Sequence, residues 1–194
     1  MSTLVDRALE AAGLDVVLQA RRAGEMGAEH RRRLHEADLL ALGALADRVR
    51  SEEVGPEVRI YSEAGLEARV GTQVALFPRE DREDTGLELL REVAMARVCG
   101  PEAARVRVDW SRSGLELAQV ALGFGANELV GRLASKLGLP IAPGELLGSG
   151  KKSALLPAEL VKSRELAAFV TRAGRVPVFV RPVLRASGTE ESVG

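Results

Sequence analysis

Four short runs constrain what this chain can fold into. EVRIYSE (57–63), ARVGTQVALF (68–77), ARVRVDW (104–110) and VPVFV (176–180) alternate in polarity or are rich in β-branched residues, which is the pattern of strands. Between them lie stretches of helical period. Leu34, Ala37, Ala41, Leu45 and Val49 make an apolar stripe that predicts a helix from about Ala28 to Arg50. Helices that alternate with strands give an α/β fold.

The remaining elements follow from local signals. Residues 3 to about 22 read as a helix with Leu4, Ala8, Ala11 and Ala12 on one side, interrupted by Gly24 and Gly27. Thr85 and Glu88 have capping-box spacing and predict a helix to about Val98; Ser113 and Glu116 repeat it for a short helix ending near Leu122. A further helix is expected from about Ala126 to before Gly138, with Asn127 and Glu128 in its first turn. An irregular connection precedes a last helix from about Ala158 to Ala173, and Gly174 stops it. Leu40 and Leu90 are assigned to apolar helix faces, where an aspartate would unfold the chain. The segments are an N-terminal helical part (1–52), a sheet-bearing domain (53–186) and a flexible tail (187–194).

Composition excludes several functions. Hydrophobic residues make up 46% of the chain, enough for a core, but aromatics only 3%, which leaves few rings to stack on bases. With 27 basic against 28 acidic residues the net charge is −1, so no overall field attracts nucleic acid or an anionic membrane. The N-terminus MSTLVDRALEAAGL lacks a long apolar run, and no stretch has the length of a membrane span. A cytoplasmic protein is expected. A single cysteine, Cys99, precludes a disulfide within the chain and any cysteine cluster for zinc or iron–sulfur. No metal or cofactor is expected.

The candidate motifs are few. GELLGSGKKS (144–153) imitates a phosphate-binding loop, but five residues separate Gly144 from Gly150 and Lys152 stands where a hydroxyl would hold magnesium. His30 and His35 lie five apart around the Arg31–Arg33 run, on different helix faces, and make a poor metal pair. Cys99 ends an apolar helix and reads as a small hydrophobe. Asp109 and Trp110 end a strand, the edge at which α/β folds bind ligands; a core-capping tryptophan and a turn aspartate are the alternative. The stretch QVALGFGANELVG (119–131) packs three glycines beside Asn127 and Glu128. It reads as a phosphate cradle, a substrate pocket or a tight turn. Asp109, Trp110, Asn127 and Glu128 are expected to lie together at the C-terminal edge of the sheet.

The segments LREVAMARV, RVRVDW, SGLELAQVAL and GFGANELVG, in this order, resemble the C-terminal half of the radical SAM enzymes of futalosine-dependent menaquinone synthesis and of deazaflavin cofactor synthesis. LHEADLLALGALADRVR (34–50) is similar to the family's N-terminal helix, and RELAAFVTRAGRVPVFVR (164–181) to its C-terminal block. Together these cover roughly half of the chain. The family's three-cysteine loop is absent, its GAND is GANE here, and Arg181 lies four residues after Pro177 instead of three. One cysteine cannot hold a cluster that needs three thiolates.

The resemblance implies a partial TIM-barrel-like sheet with N-terminal helices covering it. It implies a non-catalytic radical SAM-like protein, a binding or scaffold subunit associated with menaquinone biosynthesis. A homodimer or a complex with a pathway enzyme would cover the open sheet. The alternatives are a small-molecule binder at the strand-end pocket, with Asp109, Trp110, Asn127, Glu128 and Arg181 as its ligand-binding residues, and an enzyme of unrelated chemistry using Asp109, Glu128 or Arg181.

Overall fold

A parallel sheet carries the fold. In the computed structural model, residues 4–62, 73–76, 86–134 and 161–180 are described. Four helices come first: α1 (Leu4–Ala11), α2 (Asp15–Ala23), α3 (Ala28–Glu36) and α4 (Leu39–Glu53). Then follow β1 (Glu57–Ser62), β2 (Gln73–Leu76), α5 (Leu87–Cys99), β3 (Arg105–Asp109), α6 (Trp110–Ser113), α7 (Leu115–Leu122), β4 (Glu128–Gly131) and β5 (Leu133–Ala134). The chain continues with β6 (Val161–Lys162), α8 (Ser163–Arg172) and β7 (Val176–Val180). Five strands pair in the order β2-β3-β4-β1-β7, every neighbour parallel. A separate two-stranded ladder joins β5 to β6.

The two long N-terminal helices of the sequence reading are each broken in two. Gly13, at φ 64°, ends α1, and Asp38 restarts the chain as the N-cap of α4, its Oδ1 accepting from the amides of Leu40 (2.9 Å) and Ala41 (3.2 Å). That cap fixes the phase of α4. Leu42, Leu45, Ala46 and Val49 turn inward, and Leu40 stands 74% exposed, against the expectation that it lies in the core. In α1 the expected stripe is also reversed: Leu9 is buried, whereas Leu4, Ala8 and Ala11 face solvent. The helix expected from Ala126 is instead β4 followed by β5. The apolar residues of ANELVGRLA satisfy a helical period, but a short fully buried strand gives the same apolar run.

Strand alternation sorts the sheet into two unlike faces. Val58, Ile60, Val106, Val108 and Leu129 point to one side and merge with residues of α1 to α5, α7 and α8 in one continuous apolar core. α4 lies along α5, and Gln119 of α7 reaches the Phe169 carbonyl of α8 at 3.4 Å, so these helices share that side. The opposite face carries Arg59 and Tyr61 of β1, Arg105, Arg107 and Asp109 of β3, and Glu128 and Val130 of β4. Tyr61 and Val130 are buried there, outside the main apolar cluster.

Candidate site on the polar face of the sheet

The glycine stretch at 123–127 is a structural lock. Arg97 of α5 is completely buried. Its Nε donates to the Gly125 carbonyl (2.9 Å), Nη1 to the Ala104 carbonyl (2.7 Å) and Nη2 to Asn127 Oδ1 (2.8 Å). The same Oδ1 accepts from the Val106 amide at 2.8 Å. Burial pulls the Arg97 guanidinium down to about 10, so it stays charged at neutral pH and is held by backbone and amide oxygens. Gly125 adopts φ 98°, and a Cβ there would meet Arg97 Cγ at 2.8 Å. Phe124 packs on the bare backbone of Gly43 in α4. Three of the sequence blocks, through Gly43, Arg97 and Asn127, thus meet at one loop. Asn127 is neither a helix cap nor a pocket residue.

Asp109 and Trp110 lie at the far end of the strands. Asp109 pairs in register with Val130, which places Trp110 opposite Gly131, roughly 13 Å beyond Asn127 at about 3.3 Å per residue. The four expected neighbours therefore do not assemble at one edge. Asp109 caps α6, accepting from the Ser111 amide at 2.8 Å. Trp110 lies against Gly131 on the helix side, so close that a Cβ there would come within 2.3 Å of the indole Cε2. All four residues are buried: Trp110, Asn127, Glu128 and Asp109 expose 8% or less. Arg181 and the loop at 144–153 lie outside the described residues.

Glu128 instead anchors a polar cluster that the sequence reading missed. It is fully buried and takes both Nε (3.0 Å) and Nη2 (2.6 Å) of Arg107 on Oε2. Tyr61 donates its hydroxyl to Oε1 at 2.9 Å, and Arg105 Nε stands 3.8 Å from the same oxygen. The Arg107 guanidinium lies 5.3 Å from the Tyr61 ring centre. Arg59 sits directly beside Glu128 in the β1–β4 register, as Arg107 does in the β3–β4 register. The signal for this cluster was present in the strands themselves: RVRVD and VRIY alternate arginine or tyrosine with apolar residues, which puts the charges on one face. With both carboxylate oxygens engaged, Glu128 acts as a fixed counter-ion.

The remaining candidates take structural roles. His30 Nδ1 accepts from the Gly27 amide at 3.1 Å at the start of α3, and the His35 carbonyl accepts from Arg91. Arg32 and Arg33 pair with Glu29. Cys99 is half-buried, and desolvation raises its thiol pKa. Among the described residues no group of three His, Cys, Asp or Glu side chains is placed to hold a metal, and no helix is long and apolar enough to cross a membrane. A groove of about 680 Å³ runs between α2, the end of α4 and the turn at 100–102. Four of its five charged side chains pair with one another, Arg21 with Glu53 at 2.8 Å and Arg22 with Glu52 at 2.6 Å. Comparison with family models, with curated proteins and with solved structures returned no match.

Proposed function

We propose that this chain is a non-catalytic radical SAM-like protein, a binding or scaffold subunit associated with menaquinone biosynthesis by the futalosine route. The burial of Asp109, Trp110, Asn127 and Glu128 carries the choice of scaffold over strand-end pocket. Asp109 caps a helix, Asn127 holds Arg97 and Glu128 holds Arg107. Side chains so occupied serve packing.

Two features of the sheet support a barrel ancestry. β2, β3 and β4 are successive neighbours, and β4 then pairs parallel with β1. A (β/α) barrel also returns a late strand to its first one, although here β1 takes β4 and β7 as neighbours and not β2, so the described strands form an open sheet. Among the described residues helices line one face of the sheet, as on the outside of such a barrel. β7 then occupies the edge, with Val176 50% and Phe179 39% exposed. An edge of this kind suits a second chain.

The test is reconstitution of a complex. The purified protein is mixed with each radical SAM enzyme of the futalosine route, and the mass is read by light scattering after gel filtration. A stoichiometric complex, weakened by Phe179→Asp, is expected. A protein that remains alone or only self-associates, and leaves the turnover of each enzyme unchanged, overturns the scaffold reading.

A further inference from the structure

We propose that the polar face of the sheet holds an anion-binding site, formed by Arg59 and Arg105 beside the Arg107–Glu128–Tyr61 cluster. Its ligand is a small molecule that presents a phosphate or carboxylate group. The inference stands apart from the scaffold reading and survives its failure.

The argument is one of charge and commitment. Three arginines, Arg59, Arg105 and Arg107, surround one buried carboxylate. Arg107 takes Glu128 Oε2 with two N–H groups, and Tyr61 holds Oε1. Little of Glu128 is then left for the other two. Arg105 approaches only to 3.8 Å, with its side chain 34% exposed. Arg59 adjoins Glu128 in register and is half-buried, yet its side chain makes no hydrogen bond or ion pair among the described residues. Among the described residues two further carboxylates belong to this face. Asp109 is spent on capping α6, and Glu57 stands exposed at the start of β1 without an ion pair to either arginine. A half-buried guanidinium with no acceptor loses water contacts without replacement. An anion between Arg59 and Arg105 supplies the acceptor, and the guanidinium fork suits both phosphate and carboxylate oxygens. Both arginines rise from paired strands, so the site is set on rigid backbone.

The experiment is isothermal titration of the full chain with inorganic phosphate and, separately, with malonate. Saturable binding to wild type is expected. Arg59→Gln and Arg105→Gln should each weaken it about tenfold or more, the effect of losing one charge-assisted hydrogen bond. Arg7→Gln, on the exposed side of α1, should leave it unchanged. The ratio of the two affinities separates a phosphate ligand from a carboxylate one. Arg105 is partly exposed, so Arg105→Gln should keep its far-UV circular dichroism and decide the matter even if Arg59→Gln fails to fold. Absence of saturable heat for both anions, or equal affinity in wild type and Arg105→Gln, overturns the site.

Discussion

Replacing Asn127 with alanine removes one oxygen and leaves two buried donors without an acceptor. Arg97 Nη2 and the Val106 amide both end on Asn127 Oδ1, each at 2.8 Å. A buried neutral donor left unpaired costs about 1–3 kcal/mol and a charged one more, so the variant should lose about 3–5 kcal/mol. Domains are stable by only about 5–15 kcal/mol, so this is a large share. At about 2–4 °C per kcal/mol for a chain of this size, the midpoint should fall by roughly 6–20 °C. The assay is urea unfolding followed by far-UV circular dichroism, with the slope checked for constancy between variants. Asn127→Asp keeps an acceptor beside the buried guanidinium and should recover most of the loss. A double-mutant cycle with Arg97→Met should show coupling of about 1 kcal/mol or more. An Asn127→Ala protein within about 1 kcal/mol of wild type, or strict additivity with Arg97→Met, refutes the lock.

Leu90→Asp should abolish the cooperative thermal transition, because Leu90 is 5% exposed, whereas Leu40→Asp at a 74% exposed position should melt within about 1 kcal/mol of wild type. Gly131→Ala forces the buried indole of Trp110 to move; a loss of about 1–3 kcal/mol is expected, with a shifted tryptophan emission maximum as the direct readout. Burial raises the Cys99 thiol pKa, so its reaction with a chromogenic disulfide at pH 8 should be slower than that of a free peptide thiol and approach it in urea. Iron–sulfur reconstitution should yield no stoichiometric cluster per monomer, since the chain has one cysteine; absorbance and iron content check this.

The alternating strands were legible, and the helix phases only in part. EVRIYS, RVRVD and VPVFV declare themselves by alternation, and each appears within a residue or two of its expected place. The stripe expected over 28–50 was right at Leu34, now in α3, and at Leu45 and Val49 of α4, but Asp38 divides it, so a single helical phase misplaced Leu40. ANELVGRLA failed for a different reason. A strand buried on both faces has no polar alternation, and its four burial positions all read as core. The site residues were least legible of all. Arg97 looks like any basic residue near a helix C-terminus, and nothing local shows that it is turned inward. Asn127 and Glu128 are adjacent in sequence but point to opposite sides of the sheet, one to Arg97 and the other to Arg107.

The place of β1 in the sheet sets a timetable for the nascent chain. β1 lies between β4 and β7, so neither of its hydrogen-bonding partners exists when it leaves the ribosome. Tyr61 must wait 67 residues for Glu128, a delay of roughly 3–13 s at translation rates of about 5–20 residues per second. β7 comes later still. During that interval the backbone edges of β1 lack their partners, and Val58 and Ile60 are covered first by the helices that precede β1 and then by α5 and α7 as these emerge. Such long-range pairing makes folding slow and dependent on topology. The helices that precede β1 thus shelter the strand that β4 and β7 must later find.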